Sequence, residues 1–197
     1  MAAVSETIVR EYFELQGFFV RQQRKYVAPN RREDEEVDFL VLNPHPIAPE
    51  KPLPFVLSND EMASIARAVV VVKGWHTESF SSARLAHAPE ILRFVEPPVF
   101  QRAAKSFGGG GAPTKILVVP ALPQASEARE ESIQLLKSKG VDAVIPFHTI
   151  LADLIGQIEV NRNYRKSDLL QIIRILKNYD FFKDPQMELF KTRRRKR

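Results

Sequence analysis

The chain contains no cysteine. That excludes disulfides and thiolate metal sites, and it suits a reducing, cytoplasmic setting. No apolar run approaches the length of a membrane-spanning helix, so no membrane partner is expected. The opening Met1-Ala2-Ala3-Val4-Ser5-Glu6 lacks a basic segment followed by an apolar one, so no secretory signal is expected. The glycine run 108–111 is followed by no Gly-Lys-Ser or Gly-Lys-Thr; it reads as a flexible linker and not as a phosphate cradle. There is no His-x-x-x-His or Glu-x-x-His spacing for zinc, no Gly-x-Ser-x-Gly elbow for a serine nucleophile, and no internal repeat.

What is present is an ordinary globular composition. With 197 residues, 44% of them hydrophobic, the chain fills one sizeable core, and the expectation is a single domain over residues 1–190. The net charge of +5 is local: Lys191 to Arg197 hold six cations and no acid, and the body without them has 23 basic against 24 acidic residues. A run such as Arg193-Arg194-Arg195-Lys196-Arg197 repels itself, so residues 191–197 are expected to form a disordered tail. It serves either to attract nucleic acid phosphates or as a solubilising terminus.

The chain reads in order as follows. Glu6 to Gln16 is a predicted amphipathic helix, with Ser5 as its N-cap and Gly17 as its C-cap. A strand follows from Phe18, its later part heavily basic, and Asn30 to Glu35 is a charged turn. Val37 to Leu42 is a second strand; alternation puts Val37, Phe39 and Val41 on one face and Asp38, Leu40 and Leu42 on the other. An ionised Asp38 beside two leucines needs a cationic or metal partner. Five prolines between Asn43 and Pro54 predict an extended surface loop. Ser58 and Glu61 have capping-box spacing, so a short helix is expected to about Ala66.

Ala68-Val69-Val70-Val71-Val72 is uncharged and β-branched, a buried strand ending in Lys73-Gly74-Trp75-His76. Helices are expected over Pro89 to Val95 and Pro98 to Phe107. A strand over Lys115 to Val119, a helix over Glu127 to Ser138 and a strand over Val141 to Phe147 predict a right-handed parallel crossover. Helices over Thr149 to Val160 and Ser167 to Tyr179 close the chain. Leu169, Leu170, Ile172, Ile173 and Leu176 make an apolar stripe on the last one, for core packing or a partner. The fold class is α/β, a mixed central sheet flanked by helices.

A first-helix Glu6, a strand Asp38 and a later strand ending in Lys73 together resemble the PD-(D/E)XK nuclease superfamily, the restriction-endonuclease-like fold. The resemblance covers residues 5–76. It implies Glu6 as the helix acid, Asp38 as the strand aspartate and Lys73 as the catalytic lysine. It further implies Mg²⁺ held by Asp38 and the Val72 backbone carbonyl, Lys73 positioning or activating a water, and Glu6 orienting through a water. Position 71, which carries an acid in that pattern, is Val71, and its loss lowers the affinity for a well-hydrated ion, leaving the metal weakly held or absent. Glu36, two residues from Asp38, is the best substitute ligand and Glu78 a weaker one; His76, near the strand end, could accept or donate a proton.

The expectation is therefore a nuclease-like protein that acts on or binds nucleic acid, with weak or lost magnesium-dependent phosphodiesterase (endonuclease) activity. Arg21, Arg24, Lys25, Arg31 and Arg32, with Arg193, Arg194 and Arg195, are its nucleic-acid-binding candidates. The alternative is a non-catalytic structural or interaction module that retains the fold, with homo-oligomers formed through the C-terminal helix. On that alternative Asp38 and Lys73 are an ion pair, Glu6 is a first-turn carboxylate favoured by the helix dipole, and Trp75 is a core lid.

Overall fold

The computed structural model describes residues 2–23 and 37–182, in two compact units, Met1–Leu154 and Ile155–Arg197. Helix α1 runs over Ala2–Leu15. Val9, Tyr12 and Phe13 are fully buried, the i, i+3, i+4 spacing that lines one helix face. Burial pushes the Tyr12 hydroxyl pKa up, and that hydroxyl donates to Asn59 Oδ1 at 3.0 Å.

The helix begins before Ser5, so Ser5 is not its N-cap and Glu6 is not in its first turn. The reason is tertiary. Ser5 is 2% exposed and its Oγ lies 3.0 Å from His76 Nε2, a partner 71 positions away that holds it inside the helix. The other end follows the sequence. Gly17 takes φ +86°; its N–H donates to the Glu14 carbonyl and Phe18 N–H to the Phe13 carbonyl, each at 3.0 Å. These are the two bonds of a Schellman motif, and the apolar contact that accompanies it is Phe13 against Phe18, edge to face at 5.4 Å.

Strands β1 (Phe19–Gln22), β2 (Phe39–Leu42) and β3 (Arg67–Val72) form an antiparallel meander. Strands β4 (Thr114–Val119) and β5 (Ala143–Pro146) continue it in parallel, giving a five-stranded mixed sheet in the order β1-β2-β3-β4-β5. Between β3 and β4 lie α2 (Ser82–His87), a 3-10 helix over Pro89–Val95 and α3 (Pro97–Lys105); α4 (Ser126–Ser138) links β4 to β5, and α5 is Phe147–Gln157. The parallel crossover and the flanking helices match the sequence reading. The expected helix after Ser58 does not form beyond a 3-10 turn at Met62–Ser64 capped by Glu61. Glu61 instead turns back on Ser58, accepting from its N–H at 2.7 Å and its hydroxyl at 2.6 Å. These bonds hold the Glu61 carboxyl below its usual pKa.

Two apolar layers sandwich the sheet. Leu40, Val69, Val71, Leu117, Val119 and Val144 pack with Phe80, Leu85, Ile91, Phe94 and Leu136 from the α2–α4 side. The alternate residues Ala68, Val70, Ile116 and Val118, all 0% exposed, lie on the other face; α1 contacts β1 and β3. The proline-rich loop ends by pairing Val56 with Val144, which covers the free edge of β5.

In the second unit α6 spans Asp168–Asn178, and Ser167 Oγ caps it by accepting from Leu170 N–H at 3.3 Å. Its apolar stripe is divided: Leu170 and Ile173 are buried, whereas Ile172 and Ile175 are 54% and 44% exposed. Among the described residues no helix is long and apolar enough to cross a membrane.

Gly17→Ala is expected to lower stability by about 1 kcal/mol, since only glycine reaches this left-handed position without steric cost. A urea-unfolding midpoint equal to wild type would show that the Schellman turn does not set the end of α1.

Candidate functional site

Because β2 and β3 are antiparallel neighbours, the residue before β2 and the residue after β3 meet at one edge of the sheet. Asp38 and Lys73 are those residues. The register pairs Phe39 with Val70, and one further step places Asp38 opposite Val71. This edge also carries the C-terminal ends of the parallel strands, where open α/β sheets bind ligands.

Asp38 is 6% exposed. Its N–H donates to the Val70 carbonyl at 3.1 Å, and its Oδ2 accepts from Val72 N–H at 2.7 Å. The side chain thus takes over from the ladder where β2 begins. Strict alternation ends at the same point: Val37 packs in the cluster of Leu40 and Val71, not on the face predicted for it with Phe39 and Val41. Lys73 is half-buried and its N–H donates to the Val118 carbonyl at 3.0 Å, so its backbone is fixed by β4.

The start of α1 reaches this edge too. A Cβ on Gly74 would stand 2.4 Å from Ser5 Oγ; glycine is there because the helix rests on the strand end, a reason the sequence did not disclose. Glu6, the next residue, accepts from Gln22 Nε2 at 2.9 Å, and Gln22 stands opposite Phe39. His76 completes the edge, its ring meeting Phe147 edge-on at 4.4 Å.

Of the other predicted residues, Arg21 is exposed on β1. Glu36, Arg24, Lys25, Arg31, Arg32, Arg193, Arg194 and Arg195 lie outside the described residues, as do the charged turn and the basic tail. Glu78 is engaged elsewhere, with Arg84 Nε at 2.8 Å. Val71 is 2% exposed inside the α2–α4 core, so the position of the motif acid is filled by packed hydrocarbon.

For Mg²⁺ the described residues offer a thin donor set. Asp38 contributes one carboxylate with one oxygen already committed to Val72 N–H, and among the described residues no group of three His, Asp or Glu converges. A magnesium ion wants six oxygens in octahedral array, and these side chains do not make that shell. A separate cleft of about 500 Å³, lined by Leu85, Leu92, Val95 and Leu135 with Glu96 and Lys139, includes none of the residues singled out from the sequence. No protein-family model, curated protein or solved structure matches the chain.

The Asp38 bond generates a test. Asp38→Ala strands the Val72 N–H and is expected to destabilise by about 1–3 kcal/mol, whereas Asp38→Asn keeps a carbonyl acceptor and loses less. Equal urea midpoints for wild type and Asp38→Ala would mean that this bond does not secure the β2–β3 edge.

Proposed function

We propose that the chain is a PD-(D/E)XK-like domain of restriction-endonuclease-like fold that binds nucleic acid, its magnesium-dependent phosphodiesterase activity weak or lost. The observation that carries this reading is the meeting of Asp38 and Lys73 at one sheet edge on neighbouring strands, with Val71 across from Asp38. The order helix, antiparallel meander, helices, parallel strand and the arrival of the α1 start beside Gly74 agree with it. The missing acid supports lost catalysis: with one carboxylate, a hard cation is held weakly and the attacking water gains little activation. The cations Lys73 and Arg21, with the basic segment and tail, supply attraction to phosphates.

The test is a cleavage and binding assay with Mg²⁺ and Mn²⁺ on duplex, branched and single-stranded substrates. The expected result is cleavage no faster than that of Lys73→Ala, with binding that falls steeply as salt rises. Cleavage abolished by Asp38→Ala or Lys73→Ala would make the protein an enzyme, and absence of binding at low salt would remove the nucleic-acid reading.

A second reading, a non-catalytic interaction module, is favoured by the surface of α6. Ile172, Ile175 and Tyr179 are exposed at i, i+3 and i+7, and Phe181 is 74% exposed. That spacing is the seam of a helix pair. On this reading the protein is a homo-oligomer joined through α6, and the double substitution Ile172→Asp, Ile175→Asp returns it to a monomer in sedimentation equilibrium. A wild-type mass equal to one chain at all concentrations eliminates it.

A further inference from the structure

Beyond Lys73 the strand end runs into a column of side chains, two of which, Phe80 and Arg84, the sequence did not single out. Phe80, at its base, is 0% exposed. Trp75 rests on it with ring centroids 5.8 Å apart and planes tilted by 35°. The guanidinium of Arg84 lies over the indole, its carbon 5.0 Å from the ring centroid. Glu78 holds the same group by Nε at 2.8 Å. The Arg84 main chain is fixed as well, its N–H donating to Ser81 Oγ at 3.2 Å.

The result is an arginine with little freedom left and most of its donors unused. A guanidinium carries five N–H donors. Glu78 pairs with Nε as an ion, and the guanidinium makes no side-chain hydrogen bond among the described residues. The Arg84 and Glu78 side chains are 42% and 40% exposed, so their ion pair is screened and adds little to stability. Stability alone is a weak reason for the arrangement. Orientation is a better one: an indole plate and a carboxylate fix the plane of the fork, and a fixed fork loses less entropy on gripping a phosphate. Trp75 is two residues past Lys73, so the two Cα atoms are no more than about 7 Å apart.

We propose that Arg84 grips a backbone phosphate of a nucleic acid strand lying along this edge, with Trp75 as its backing plate and Glu78 as the group that aims it. This rests on the nucleic-acid reading above and names a residue through which the strand is held. The ligand class is a phosphodiester chain, recognised by charge and fork geometry and not by sequence.

Trp75 is the chain's sole tryptophan, so its emission reports on this column directly. The full-length protein is titrated with a single-stranded oligothymidine and with a duplex of equal length, at several salt concentrations, following both anisotropy of the labelled strand and Trp75 emission. For whichever strand binds, Trp75 emission is expected to change at the same midpoint. Arg84→Ala is expected to weaken binding about tenfold and to lower the salt slope by about one. Arg84→Lys should restore the salt slope without the full affinity, because it returns the charge and not the fork. Unchanged affinity and salt slope in Arg84→Ala, with wild type binding normally, overturns the proposal and leaves the broader reading standing. Failure of wild type to bind either strand overturns both.

Discussion

The hydrogen bond from Val72 N–H to Asp38 Oδ2, 2.7 Å, is the contact on which the β2–β3 edge depends. Where β2 begins, the ladder stops supplying acceptors to β3. A peptide N–H left without a partner in a nearly dry place costs about 1–3 kcal/mol. The Asp38 carboxylate removes that cost and, by doing so, is itself kept at a position only 6% exposed. One interaction thus does two things. It pins β2 against β3 in a register that sets Val71 across from Asp38, and it holds an acid beside the residue that precedes Lys73.

Val71 shows what that register is used for. The residue shares a layer with Val69, Leu117, Val119 and Val144 and meets Phe80 and Leu85 from the helical side. A carboxylate at that position would enter this hydrocarbon layer, where burying a charge without a partner is costly. The packed core and a two-acid metal shell are therefore alternatives at this position, and the chain has taken the core. The lip of the sheet beside it is made by Asp38, Lys73 and the start of α1.

The sheet was legible wherever local chemistry decides. The Val69–Val72 run, Gly17 and the Ser126–Ser138 crossover helix each carry their own cause, be it β-branching, a left-handed turn or amphipathic spacing. What failed to show was long-range. Ser5 has the chemistry of a cap, and nothing near it in sequence reveals that a glycine 69 positions on leaves room for its hydroxyl. Ser58 and Glu61 carry a capping box, yet the turn they begin stops at Ser64 because Ile65 goes extended, φ −82° and ψ 108°, to enter the strand. The alternation rule placed Val37 on the wrong face because it assumes an unbroken ladder, and Asp38 breaks it. Arg84 had no signal at all: its partners Trp75 and Glu78 precede it across a loop, at spacings that match no helix or strand period.

Charge distribution ties these points to function. Outside the seven terminal residues the chain is balanced, 23 basic against 24 acidic, so the body carries almost no net positive charge. Surface charges act over roughly 8 Å at physiological ionic strength. A polyanion that settles on this edge must be held by cations placed one at a time, and each must be oriented to count. The Lys73 main chain is fixed by its bond to Val118, and the Arg84 guanidinium lies against an indole and a carboxylate. On the proposed reading, such single cations in a nearly neutral body do the recognising that a field does in strongly basic proteins. The short Lys73-Gly74-Trp75-His76 segment matters for that reason: it puts a charge, a close approach to α1, a supporting plate and a titratable ring on successive residues, all secured by the strand that Asp38 anchors.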